Sequence, residues 1–362
     1  MNTQNAINNI NATESFARQA VVNGNFNIAQ RGTSFTNPIN GLPTVDRIFV
    51  ALNPDSGTDP TSLVYSQTAL TPGELSNSYY QYRLTTDGAG SGFGTNSYHL
   101  FSHQIKKGTS LLAKTAQTVT VSFQARSSIA SKKIGVFLLQ NYGTGGSPSA
   151  QEILVGQTYT LTSSFQTITK TFTLNTLSGK TFGTNLNDAL KLDIAYQWGS
   201  TWGTAQLGDG TAESFGGSGT IDIAQLQLCS GSVALPFQPK SWEQDLLECQ
   251  ADYFKTFPYA TAPAQNTGVT AGAIAYRVRL AAVNTDGEYC SFPVPMSATP
   301  TITYYNPSAA NANWRNTTLT ADSAAAASQC LGERGVLVDN PQVIDDLVGG
   351  LVAVHLTAAT GF

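Results

Sequence analysis

The chain has 362 residues, room for two cores at the usual domain size of about 100–200 residues. Only 12% of them are charged, against roughly 25% in ordinary globular proteins, and Ser, Thr, Asn, Gln and 33 glycines fill the deficit; with 41% hydrophobic and 10% aromatic residues the chain can still fold, so the low charge does not mean disorder. A net charge of −4 excludes the basic footprint that phosphate backbones demand, so nucleic acid is not expected as a partner.

Residues 1–20 are Asn-rich, with Ile7, Ile10 and Phe16 as spaced anchors, and read as an N-terminal attachment arm. Met1–Ile7 shows neither a basic nor an apolar leader region, so a secretion signal is not expected. No apolar run approaches the length of about 18 residues that spans a bilayer, so membrane insertion is not expected either. Val22–Gly32 reads as a first strand, with Val22, Phe26 and Ile28 on one parity and Asn23, Asn25 and Asn27 on the other. Further period-two segments run from Tyr79 to Leu84, Tyr98 to Ile105, Val119 to Ala125, Ile134 to Gln140, Phe165 to Leu174, Leu190 to Trp198 and Thr220 to Leu228. Glycine-rich connections such as Asp87–Gly92 and Gly143–Gly146 separate them. Many short strands without intervening helical patterns predict an antiparallel sandwich.

Ser241 reads as a helix N-cap with Gln244 completing a capping box, and Trp242, Leu246, Cys249 and Tyr253 share the following helical face. Strands resume at Ala273–Ala281, Gly287–Val294, Thr301–Tyr305, Gly335–Val338 and Leu351–Leu356, while Ala321–Ala327 reads as a helical turn by propensity. No repeat of fixed period is visible, which disfavours a β-helical solenoid. The predicted fold is all-β, an antiparallel jelly-roll sandwich followed by a short helix and a second, smaller β domain. Its boundaries are 1–20 for the arm, 21–239 for the jelly roll, 240–256 for the helix and 257–362 for the C-terminal domain.

Several stretches also carry a resemblance. They are Val22-Asn23-Gly24-Asn25-Phe26 through Gln30-Arg31-Gly32, then Gln225–Leu228 with Gly231–Phe237, and Leu247-Glu248-Cys249-Gln250 before Tyr253-Phe254. With Leu100–Ile105, Val119–Arg126 and Phe292–Thr301 they are similar to bacteriophage tail-fibre and minor virion proteins built on a carbohydrate-binding-module-like jelly roll. The pattern departs at Gln227, where an acidic residue is usual, at Leu235, where threonine is common, and at Ala251-Asp252 before the aromatic pair. The resemblance implies a virion protein assembled in the host cytoplasm, a homo-oligomer, most simply a trimer, with residues 1–20 engaging other virion proteins.

Catalytic signatures are missing: there is no GxSxG, HExxH, GxGxxG or EF-hand loop. Ser178–Thr181 mimics the end of a phosphate loop without its first glycine and reads as a turn. His99 and His103 stand four apart, but on a strand that separates them by about 13 Å, so they read as same-face structural residues rather than a metal pair. His355, alone in the last apolar strand, reads as a local hydrogen-bonding group. Asp209, Glu213 and Asp222 could pair for glycoside hydrolysis or hold calcium, but they read as ordinary loop and strand-edge acids. The widely spaced Cys229, Cys249, Cys290 and Cys330 read as thiols of a chain made in a reducing cytosol. No catalytic residue, metal or cofactor is expected.

Sugar rings present C–H faces that pack on aromatic planes, so Tyr196-Gln197-Trp198-Gly199-Ser200-Thr201-Trp202 is the main binding candidate. Tyr196 and Trp198 share the parity of Leu190, Leu192 and Ile194 and read as core; Trp202, on the loop beyond, is the exposed candidate, with Gln197 orienting hydroxyls. Tyr80 and Trp314 complete the set, the latter because it stands alone among amides in Asn311–Asn316. The expected function is non-enzymatic adhesion of a phage tail fibre to host-surface glycan. The alternatives are a capsid decoration protein or head fibre, and a polysaccharide depolymerase.

Overall fold

The computed structural model describes residues 18–113, 117–278, 286–341 and 349–361. Most of the predicted arm therefore lies outside the described residues. Its last residues are tied down: Gln19 Nε2 donates to Leu226 O and the Ala20 amide to Leu228 O. The chain divides into two units, one of residues 1–29 and 33–241, the other of residues 30–32 and 242–362.

The first unit is a sandwich of two antiparallel sheets. One has six strands in the order β1 (Ser34–Thr36), β3 (Leu63–Ala69), β4 (Tyr80–Gly88), β11 (Gly217–Ser230), β6 (Thr118–Ser127) and β9 (Gln166–Thr173). The other has five, in the order β2 (Ile48–Asn53), β5 (Tyr98–Lys106), β10 (Ala189–Trp198), β7 (Lys133–Asn141) and β8 (Glu152–Thr160). Alternation decides what goes inside: Leu190, Leu192 and Ile194 of β10 and Ile134, Val136 and Leu138 of β7 share one core with Val119, Val121 and Phe123 of β6 and Ile221 and Ile223 of β11. Among the described residues two helices are attached, α1 (Gly108–Leu112) and α2 (Ser200–Leu207).

The expected first strand is corrected. Val22–Gly32 forms turns and irregular backbone, with Asn23 and Phe26 at φ 57° and 54°. The asparagines are consumed inside: Asn23 Oδ1 accepts the Ile28 amide while its Nδ2 donates to Ile28 O and Asp46 O. An amide that caps its own backbone in this way offers the chain an alternative to a ladder. Phe26 and Ile28 still enter the core.

Among the described residues the second unit contains α3 (Trp242–Gln250) and nine strands: β12 (Tyr253–Lys255), β13 (Ile274–Arg277), β14 (Asp286–Ser291), β15 (Thr301–Tyr305), β16 (Asn313–Asn316), β17 (Ala321–Ala325), β18 (Ala327–Gly332), β19 (Gly335–Asn340) and β20 (Leu351–Ala359). Long β20 pairs with β12 and β15 over one half and β13 and β16 over the other, and β14, β19 and β18 make a three-stranded sheet. Ala321–Ala325, expected as a helical turn, is a strand because it pairs with β16, so tertiary pairing overrides alanine propensity. On α3, Cys249 is buried, whereas Trp242 and Leu247 are exposed.

Candidate functional site

The outer face of the five-stranded sheet carries the side chains that point away from the core. In register they form rows, one running Phe49, Ser102, Asp193 and Phe137 across four strands and the next Gln104, Lys191, Leu139 and Ile153. Helix α2 lies on this face. Gly135 makes that possible, since a Cβ there would meet Leu207 Cδ1 at 2.4 Å. Gly208, at φ 67°, ends the helix with its amide bonded to Gly203 O.

Trp202 and Gln206 are one helical turn apart and share a face. Trp202 stacks on Tyr98 (centroids 5.5 Å, 28° between planes) and takes the edge of Phe137 (5.4 Å, 82°). Between the helix and the sheet opens a groove of ≈ 230 Å³, floored by Asp193, Ser102, Leu100, Leu139 and Lys191. That volume lies below the ~300–1,000 Å³ of pockets that engulf a ligand, and suits a chain of rings passing over the surface.

Two buried acceptors in this groove have no partner, Asp193 Oδ1 and Gln206 Oε1. Such atoms are uncommon, because a desolvated oxygen without a donor costs about 1–3 kcal/mol. Burial pushes the Asp193 carboxyl up to about 6, against the Ser102 hydroxyl and the Lys191 charge, which favour its ionised form. The arrangement offers a stacking platform and two acceptors that want donors.

Trp202 thus lines the groove from a helix rather than from a loop. The other candidates do not join it. A bulge between Ala195 and Gln197 breaks the parity of β10, so Tyr196 enters the main core while Trp198 packs on the other face, with Leu100, Phe137 and Leu207. Both are fully buried, and Trp198 Nε1 donates to Thr211 O. Gln197 is corrected: it is buried opposite His99 and donates to Ser97 Oγ at 2.7 Å. Tyr80 belongs to the six-stranded sheet, where its ring packs against the main core. Trp314 is corrected too, being 0% exposed in the core of the second unit, edge-on to Tyr276 and donating to Asp339 O. Sequence reasoning missed Tyr98, Phe137, Asp193 and Gln206. The signal for the first three was their outward parity on β5, β7 and β10 next to the alternating core residues.

The acids of the hydrolase reading pair with different cations. Asp222 binds Arg83 and Arg126, Glu213 binds the buried Lys132 at 2.8 Å, and Asp209 accepts from Thr158 near Lys133. Lys180 pairs with Glu152 beside the Gly179 turn. His99 and His103 are buried on the inner face of β5, His99 against the Tyr65 hydroxyl; His355 bonds Thr256 and Val269 O at 3.0 Å each. Among the described residues no three His, Cys, Asp or Glu side chains gather as a metal cage. All four cysteines are thiols rather than disulfides.

No protein-family model and no curated protein matches this chain. Solved structures similar to it include a CBM4 module, 17% identical over 58% of this chain and 99% of its own, TM-score 0.33. Another is a putative sugar binding protein from Bacteroides thetaiotaomicron, 8% identical over 59% of this chain and 100% of its own, TM-score 0.34. A third is the enzymatically active domain of tailspike protein 4 of bacteriophage CBA120, 9% identical over 53% of this chain and 22% of its own, TM-score 0.31.

Proposed function

We propose that the first unit is a non-catalytic glycan-binding module, and that the groove beneath α2 is where the sugar lies. The observation that carries this is the Tyr98–Trp202 stack set beside two buried acceptors without donors. A pyranose supplies what both lack, an apolar C–H face for the indole and hydroxyl protons for the oxygens. The three separately paired acids support a binding role over a hydrolytic one.

The setting we propose is a bacteriophage virion, where the chain serves as a tail-fibre or receptor-binding subunit, assembled as a trimer in the host cytoplasm and joined to other virion proteins through residues 1–20. The ordered motifs running from Val22 to Thr301 support it. Several weak sites acting together raise avidity by about 10² to 10⁴ over one site.

The test is binding of the purified chain to an array of bacterial surface polysaccharides and defined oligosaccharides. We expect retention on a subset, lost at least tenfold in Trp202→Ala and in Tyr98→Ala with both variants still folded. Wild-type protein that binds no glycan, or variants that bind as well as wild type, would overturn the groove. Stoichiometric binding to capsids without adsorption to host cells would replace the adhesin setting by surface decoration.

A further inference from the structure

Asp193, 2% exposed, and Gln206, from the helix above, both line the groove, and each holds a buried oxygen without a donor, Oδ1 and Oε1. Besides Asp193, the charged and titratable groups lining the groove are Lys191 on the same strand and Tyr98 on β5. β2, β7 and α2 line the groove only with uncharged groups, Ala51, Phe137, Leu139, Trp202 and Gln206, and Gln151, just before β8, is uncharged as well. An ion so enclosed is stabilised by hydrogen-bond donors and destabilised by a second anion nearby.

We infer that Asp193 is the specificity-determining acceptor of this groove, that it selects neutral rings whose hydroxyls donate to it over rings carrying a carboxylate or sulfate, and that ligand and proton compete for it. This rests on the glycan-binding reading above and deepens it. A hydroxyl bonded to Oδ1 strengthens with the full charge of the carboxylate, so a bound sugar favours the ionised form. By reciprocity, protonation weakens the sugar. Because burial holds the carboxyl near 6 in the unliganded groove, about a tenth of it is ionised at pH 5. Binding that requires the ionised form is then weaker at pH 5 than at pH 7.5 by about tenfold.

The experiment runs the same glycan array at pH 7.5 and 5.0 with wild type, Asp193→Asn and Gln206→Ala, and follows the strongest binder by calorimetry. Thermal melts confirm that each variant is folded. The expected result is a set of neutral binders that weaken about tenfold at pH 5.0, reduced binding in Gln206→Ala that keeps this pH dependence, and reduced, pH-independent binding in Asp193→Asn. Wild-type binding that is equally strong at both pH values, binders confined to anionic glycans, or an Asp193→Asn variant that keeps the wild-type pH profile would each overturn the inference while leaving the groove reading intact. Absence of any wild-type binder at either pH would sink the groove reading, and this inference with it.

Discussion

Two of the tryptophans show how far one residue type can diverge. Trp202 is half-buried over a groove, and its removal forfeits two ring contacts worth about 0.5–1.5 kcal/mol each, a loss the sandwich tolerates. Trp314 is fully buried in the core of the second unit, edge-on to Tyr276, so Trp314→Ala should cost about 3–5 kcal/mol. Its melt should fall sharply while glycan retention by the first unit stays at the wild-type level; a change under about 1 kcal/mol would show that Trp314 is not a core residue. The sequence suggested an exposed Trp314 because it stands among amides. Those amides are spent internally, Asn316 Oδ1 accepting the Thr318 and Leu319 amides and Asn311 donating to Asp322, so amide richness here marks backbone capping and not a wet surface.

At the scale of elements, period-two alternation made β4 to β7 and β9 to β11 legible, because each buries one face against a partner sheet. β8 was not, since it turns the apolar Ile153 and Val155 outward and so shows no clean alternation. The bulge in β10 left no mark in the residue pattern, and it reversed which side Trp198 takes. Helix α2 was hidden for a different reason: eight residues without an apolar stripe look like a loop, and only its bracketing by Gly199 and Gly208 announced it. That helix positions half of the candidate site, and its seat is Gly135. A methyl group there must displace Leu207, so Gly135→Ala should cost about 1–3 kcal/mol of overpacking and lift Trp202 and Gln206 away from the sheet. Glycan retention should drop several-fold with the strand content unchanged by circular dichroism. Full retention would mean that the seating of α2 does not set the site.

Over the whole molecule, the titratable groups buried in the first unit make it sensitive to acid. Burial lowers His99 to about 3 and His103 well below its ordinary value, so both are neutral when folded and charge near pH 6.5 when unfolded. The unfolded chain then binds more protons below pH 6.5, and the stability these groups allow, complete above that pH, is lost as pH falls toward the folded values. Between pH 7 and 4.5 the loss from His99 is about 2–3 kcal/mol at 1.36 kcal/mol per unit, and His103 acts in the same direction. Asp193 works in the opposite sense. Its folded value is raised to about 6, so its contribution is complete below about 3.9 and gone above 6, and acidification over the same range returns about 2 kcal/mol. His103 and Lys106 act in the same sense as His99, so the net expectation is that the first unit loses stability between pH 7 and 4.5, read as a fall in the urea midpoint. Asp193→Asn should steepen that loss and His99→Gln should flatten it. A midpoint that holds constant across the range in wild type would show that these groups are hydrated in the folded protein, and would remove the low-dielectric floor on which the groove's selectivity depends.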